Sequence, residues 1–195
     1  MRRFLLPFLA TVSIATASIA QTTPGRTPLV PPEPATNAAI GGIVLDRGKL
    51  IAEDISLAPT LTTFVTALQA TDLATTLAGT GPFTVFAPTN DAFARLAPGT
   101  IDNLLKPENK ATLTKLLGYH IVPGIVTIDQ LKTIAASATP TLTTSEGEML
   151  TVSAAGGVIL LTDINGNKSY LEIGNIRQAN GVIHVVNGVV IPTLG

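Results

Sequence analysis

Two histidines, His120 and His184, are the side chains best suited to acid–base or metal chemistry in this chain of 195 residues, which contains no cysteine. Each sits in β-branched, apolar sequence: Tyr119-His120-Ile121-Val122 and Val182-Ile183-His184-Val185-Val186. In an extended strand Val182, His184 and Val186 share one face while Ile183 and Val185 take the other. His184 is therefore flanked by apolar groups, and a buried imidazole needs hydrogen-bond partners. The Asn90-Asp91 segment and the backbone are the candidates. A two-histidine metal site would need further ligands, and no His-x-x-x-His spacing or acidic-histidine cluster supplies them. Acyl hydrolysis would want a Gly-x-Ser-x-Gly elbow, which is absent. Paired carboxylates could be drawn from Asp91, Asp102, Glu108, Asp129, Asp163 and Glu172, but none lies among the aromatic side chains that usually hold sugar rings in such clefts. Gly79-Thr80-Gly81 runs into a strand without the lysine that opens a phosphate-binding helix. These residue types point away from enzymatic function. They assign no catalytic, metal or cofactor-binding residue and imply no cofactor.

The elements that would position these side chains are legible in part. Leu61, Phe64, Val65 and Leu68 follow the i, i+3, i+4, i+7 spacing of one helix face, and Leu73 with Leu77 continues the stripe to Gly79. A helix before it is expected to begin near Lys49. Phe83 to Phe86 alternates as a short strand. Pro88 breaks it, Thr89 or Asn90 can cap the next helix through a side-chain oxygen, and Asp91 in that first turn complements the helix dipole. Short helices follow at 101–105 and 108–117. Thr127-Ile128-Asp129-Gln130 is a capping-box pattern, which predicts a helix from Ile128 to Ala135. The last third is β-rich, with runs at 142–144, 149–153, 158–161, 169–173 and 182–191 punctuated by Gly156-Gly157, Asn165-Gly166, Asn180-Gly181 and Asn187-Gly188. Helices first and strands later predict an α+β fold with an antiparallel sheet. Asn167-Lys168-Ser169 matches a glycosylation acceptor formally, but reads better as turn chemistry.

The N-terminus has the plan of an export signal. Met1-Arg2-Arg3 precedes the short apolar run from Phe4 to Ala10, and Ser18-Ile19-Ala20 offers small residues for cleavage before Gln21. The apolar stretch is too short for a membrane span of about 20 residues. Residues 1–20 are thus expected to be a signal peptide, and no membrane insertion is expected after cleavage. Residues 21–39 carry Pro24, Pro28, Pro31, Pro32 and Pro34 and read as a semi-rigid Pro/Thr-rich tether. Residues 40–195 form a single domain, since no repeat of 20–50 residues is visible. Loss of Arg2 and Arg3 leaves ten Lys and Arg against thirteen Asp and Glu, a net charge of −3. Such a mild charge argues against nucleic acid as a partner. Without tryptophan, and with only Tyr119 and Tyr170, the chain lacks the aromatic platform expected of a carbohydrate binder.

Two stretches about ninety residues apart, Thr84-Val85-Phe86-Ala87-Pro88-Thr89-Asn90-Asp91-Ala92-Phe93 and Asn180-Gly181-Val182-Ile183-His184-Val185-Val186 continuing to Pro192, resemble the opening and closing signatures of the fasciclin domain. Tyr119-His120-Ile121-Val122-Pro123-Gly124 between them resembles that family's Tyr-His segment. The resemblance covers most of the chain after about Leu50. It implies a wedge-shaped β-sandwich with a layer of helices, and an adhesion or matrix-interaction module. It also implies interaction elements: in animal fasciclin proteins the Tyr-His segment and an Asp-Ile dipeptide are the proposed integrin-facing groups. Here those positions fall on Tyr119, His120, Asn175 and Ile176. Asn175 stands where the family would have Asp, a departure that weighs against integrin-type adhesion. The alternative reading packs and hydrogen-bonds Tyr119 and His120 internally. Thr89, Asn90, Asp91 and His184 are read as structural motif residues.

The functional reading is a monomeric, non-catalytic, exported protein, periplasmic or secreted, that contacts a cell-surface or matrix protein or a polysaccharide. The second reading is a periplasmic module holding a lipid-like small molecule between helices and sheet. A third is a structural protein of the envelope.

Overall fold

The computed structural model describes residues 38–194. The expected signal peptide and the tether up to residue 37 lie outside the described residues. A two-stranded hairpin, β1 (Ala39–Ile40) and β2 (Ile43–Val44), turns through Gly41 and Gly42, both at positive φ. Three helices follow: α1 (Ile51–Asp54), α2 (Thr62–Gln69) and α3 (Leu73–Leu77), with 3-10 turns at Ile55–Leu57 and Pro59–Leu61. The apolar stripe expected as one helical run is therefore split. Thr71 is buried at the break, where its hydroxyl donates to the Leu68 carbonyl at 2.9 Å and accepts from the Leu73 N–H at 3.4 Å. This side chain satisfies the backbone groups that the two helix ends expose.

Strand β3 (Phe83–Pro88) leads into α4 (Asn90–Ala94), α5 (Thr100–Leu104) and α6 (Lys110–Gly118). Thr89 caps α4, accepting from the Ala92 N–H at 3.3 Å. After α6 come β4 (Ile121–Pro123) and α7 (Ile128–Ala135). The capping box forms as its sequence predicts: Thr127 Oγ1 accepts from the Gln130 N–H at 3.3 Å, and Gln130 Oε1 accepts from the Thr127 N–H at 2.7 Å. The remaining strands are β5 (Thr141–Thr143), β6 (Met149–Ala155), β7 (Val158–Thr162), β8 (Lys168–Gln178) and β9 (Gly181–Val186).

Seven strands form one sheet in the order β4-β3-β9-β8-β7-β6-β5. The expectation of a purely antiparallel sheet is corrected at its centre, where β3 and β9 run parallel from Phe83 opposite Gly181 to Pro88 opposite Val186. Every other pair is antiparallel. The two outermost strands curl toward each other, and the Ser145 N–H beyond β5 donates to the Ile121 carbonyl of β4 at 2.8 Å. The architecture is α+β, with a mixed sheet close to closure, helices α1 to α6 against one side and α7 packed on β6 and β7.

The parallel pair separates two cores. Val85, Ala87, Ile183 and Val185 pack with Ile51, Leu61, Phe64 and Leu117 of the helical layer. On the opposite face Phe86 and Val186 pack with Tyr119, Leu131, Leu150, Val152 and Leu161 inside the curled sheet. This two-sided burial makes all six residues of β9 buried, and it produces the near-continuous apolar sequence of a strand covered on both faces. The alternation of Val182, His184 and Val186 against Ile183 and Val185 is realised in this way. β9 ends at Val186, five residues before the expected Ile191, because side chains take over the backbone groups beyond it. The Val190 N–H goes to His120 Nε2 at 3.2 Å, and the Ile191 N–H goes to Asp163 Oδ2 at 2.8 Å.

Candidate functional site

The residues singled out by their chemistry are held mainly by backbone partners. His184 Nε2 lies 2.7 Å from the Val126 carbonyl, an acceptor, while Nδ1 receives the Asn175 N–H at 3.3 Å. These partners require a neutral ring with its proton on Nε2. The ring stacks on Phe86 with centroids 5.4 Å apart. Gly174 makes room for it, since a Cβ at that position would sit 2.8 Å from His184 Nδ1 and 2.7 Å from Ile128 Cδ1. Burial lowers the His184 pKa to about 4, the carbonyl bond opposes the shift, and Arg177 adds to it. The Asn90-Asp91 segment, considered from sequence as a source of His184 partners, supplies none. Asn90 instead donates to the Pro59 carbonyl at 3.0 Å and accepts from the Thr63 N–H at 3.0 Å, tying the start of α4 to the start of α2.

Residues 124–128 are the meeting point of the two signature stretches. Thr84 Oγ1 donates to the Gly124 carbonyl at 2.7 Å and accepts from the Val126 N–H at 2.8 Å. His184 holds the Val126 carbonyl. Asn175, at φ +57 in the irregular part of β8, accepts from the Ile128 N–H at 2.9 Å through its side-chain oxygen. An asparagine tolerates this left-handed backbone better than most residues, and its amide oxygen serves the first turn of α7. These contacts give a physical reason for Asn175 that its comparison with Asp did not provide.

His120 has the opposite tautomer. Its Nδ1 lies 2.9 Å from the Leu116 carbonyl, and Nε2 accepts from Val190. Phe64 packs at a tilt, with centroids 6.3 Å away. Burial again lowers the pKa to about 4, partly offset by the Leu116 bond and by Asp163. Tyr119 donates its hydroxyl to the Met149 carbonyl at 2.8 Å. Burial raises its pKa to about 12, with Asp163 the next cause. Of the four residues that the family resemblance proposed as interaction groups, Tyr119, His120 and Ile176 are each 0% exposed. Their side chains reach a partner only if the domain opens. Asn175 is partly exposed, but its side chain is committed to Ile128.

Two residues have larger structural roles than their local sequence implies. Asn180, taken there as a turn signal, is buried and makes three bonds: Nδ2 donates to the Leu77 and Gly79 carbonyls at 2.7 Å each, and Oδ1 accepts from the Ile51 N–H at 2.9 Å. It closes the end of α3 and the start of α1 at once. Asp163, weighed as a catalytic carboxylate, accepts from the Asn165 and Asn167 N–H groups at 2.9 Å each and from Ile191. Asn167 also donates its side-chain amide to Asp163 at 2.9 Å, which is the turn chemistry expected of that segment.

With both nitrogens of each imidazole occupied, neither histidine has a free lone pair for a proton transfer or a metal. Among the described residues, no group of three or more His, Cys, Asp or Glu could hold a metal ion. No helix among them is long and apolar enough to cross a membrane. A surface groove of about 350 Å³ lies between the β1–β2 turn, the start of α4 and β8. Ile40, Ile173 and Val185 give it an apolar lining, and Asp91, Arg95 and Glu172 add charge.

His184→Ala is expected to lower stability by about 1 to 3 kcal/mol, through lost packing on Phe86 and two orphaned backbone groups. Urea unfolding would measure it. A variant that melts like the parent but loses attachment would make His184 a recognition residue instead.

The fold and the meeting of its two signature stretches define a fasciclin domain. Residues 59–192 match the Fasciclin domain family model, and the chain belongs to that family. It is similar to the protein sll1483 of a Synechocystis strain, at 39% identity over 160 residues, covering 81% of this chain and 82% of that protein. It is also similar to the immunogenic protein MPB70 of Mycobacterium bovis, at 32% identity over 174 residues, covering 87% of this chain and 81% of that one. Among solved structures, a FAS1 domain pair from the insect cell adhesion molecule Fasciclin I superposes with a TM-score of 0.65. That match has 17% identity and covers 75% of this chain and 51% of the other, so it bears on the fold alone.

Proposed function

We propose that this protein is a non-catalytic, exported interaction module of the fasciclin type that mediates adhesion. The observation that carries the reading is the saturation of both histidines by backbone partners. It leaves the residues best suited to catalysis with no ring nitrogen free to exchange a proton with a substrate and turns them into fold devices. Family membership supports the same reading. Export rests on the N-terminal sequence, and the partner is a cell-surface or matrix protein or a polysaccharide. The lipid-binding reading has less support, because the aliphatic side chains between helices and sheet pack against one another.

Cells lacking the protein are expected to attach less well to at least one of several protein- or polysaccharide-coated surfaces, with recovery on complementation. Unchanged attachment to every surface would overturn the reading. A lipid-sized mass retained in native mass spectra of protein taken from culture would favour the rival.

A further inference from the structure

Past β9 the chain is held by side chains alone. From Gly188 to Leu194 no backbone group bonds another backbone group among the described residues. Ser169 Oγ accepts from the Gly188 N–H at 3.1 Å and donates to the Gly188 carbonyl at 2.8 Å. The Val190, Ile191 and Thr193 N–H groups go to His120 Nε2 at 3.2 Å, Asp163 Oδ2 at 2.8 Å and Glu148 Oε2 at 2.9 Å. Asn165 and Lys115 hold the Ile191 and Thr193 carbonyls. Pro192 has no N–H to offer a neighbouring strand. The segment still belongs to the interior, since Val190 is 0% exposed and packs in the core inside the curled sheet. Three of its four N–H acceptors, His120, Asp163 and Glu148, are groups that take up a proton in acid. His120 matters most, because its Nδ1 faces the Leu116 carbonyl and Nε2 is the one ring nitrogen left to accept.

We propose that residues 188–193 form an acid-sensitive strap, which loosens from the domain as His120 gains a proton while β3 and β9 stay paired. Protonation turns Nε2 from acceptor to donor and sets it against the Val190 N–H, so the charged ring requires the strap to lift and water to reach Nε2. In the closed strap burial holds His120 near pKa 4, against 6.5 for an imidazole in water. A folded value below the free one makes the strap most secure at neutral pH and weaker as the pH falls from 6.5 toward 4. The other charged groups around the strap are Lys115, Glu146, Asp163 and Glu148, with Arg95 on the Asn187 carbonyl at its start. The Thr193 N–H lowers the Glu148 pKa, a contribution of the same sign at lower pH. Burial raises that of Glu146, which has the opposite sign. Tyr119, raised to about 12 by burial, stays neutral. Lifting the strap uncovers the His120 ring and the apolar seat of Val190, a surface that the closed domain does not present. Such a device goes beyond the adhesion reading and does not rest on it, because the strap opens or stays shut whatever the domain binds.

The test is amide hydrogen exchange of the ¹⁵N-labelled mature protein, read residue by residue at pH 6.5, 5.5 and 4.5 and divided by the rates of an unstructured chain. One histidine passing from pKa about 4 to 6.5 on opening predicts that Val190 and Ile191 lose protection roughly 40-fold between pH 6.5 and 4.5. At every pH both are expected to exchange roughly tenfold or more faster than Ile183 and Val185 of β9, which marks an opening smaller than global unfolding. His120→Gln puts a neutral acceptor in place of the ring and is expected to flatten the pH dependence. Lys115→Met removes a partly exposed tie to Thr193 and is expected to speed strap exchange roughly threefold at pH 6.5, with β9 unchanged. Strap amides that exchange in step with β9 at every pH, or strap protection that is the same at pH 6.5 and 4.5, would overturn the proposal. A loss of roughly 40-fold that persists in folded His120→Gln would overturn the role of His120. If His120→Gln does not fold, the wild-type series and Lys115→Met decide.

Discussion

Taking the protein from pH 7 to pH 4 is expected to remove about 3 kcal/mol of stability for each of its two histidines. Burial holds both rings near pKa 4 in the folded chain, against 6.5 for an imidazole in water. The unfolded chain therefore binds more protons than the folded chain throughout this interval. By linkage, stability must then rise with pH across it. The contribution is complete above pH 6.5 and is lost as the pH falls toward 4. Geometry gives the same sign, because a second ring proton would point at a backbone N–H: Val190 for His120 and Asn175 for His184. Urea midpoints between pH 4 and 7 would measure the loss, and His184→Phe should remove about half of the slope. A flat profile would mean that the rings are hydrated.

Gly181→Ala is expected to cost about 4 kcal/mol or more, enough to leave much of the protein unfolded. A Cβ at that position would lie 1.9 Å from the Phe83 carbonyl oxygen and 2.9 Å from Ile51 Cδ1. The obstacle is backbone rather than a flexible side-chain tip, and Phe83 is the first residue of β3 paired with β9. Relief would require shifting the parallel seam that separates the two cores. Gly81 faces the same crossing from the segment before β3, where a Cβ would lie 2.3 Å from the Asn180 carbonyl oxygen. The comparison variant is Gly48→Ala, which meets only the tip of Asp46 at 3.3 Å and should change stability by about 0.5 kcal/mol or less. Chemical denaturation of the two variants side by side tests the account, and equal midpoints would refute the steric argument.

What the sequence reveals is what neighbouring residues decide. The capping box at Thr127 and Gln130 gives α7 its observed limits, and Thr89 caps α4 by the same local rule. The alternation around His184 is legible because a strand buried on both faces still alternates between them. The parallel pairing of β3 with β9 is not legible, because it joins residues 98 positions apart and leaves no turn signal. Asn180 and Gly174 are obscured for the same reason. Asn-Gly looks like hairpin chemistry wherever it occurs, and Gly174 is needed only because His184 and Ile128 arrive beside it. The groove was hidden too, since Ile40, Asp91 and Glu172 converge only after the sheet is assembled.

The central claim is that the signature residues best equipped for chemistry are spent on the fold. The most direct test is the state of the two imidazoles in solution, read from their ¹⁵N resonances between pH 5 and 8. Two neutral rings that do not titrate over this range are expected, with the proton on Nε2 of His184 and on Nδ1 of His120. A ring that titrates near pH 6.5, or exchanges between tautomers, would contradict the claim and return that histidine to the list of candidates for catalysis or recognition.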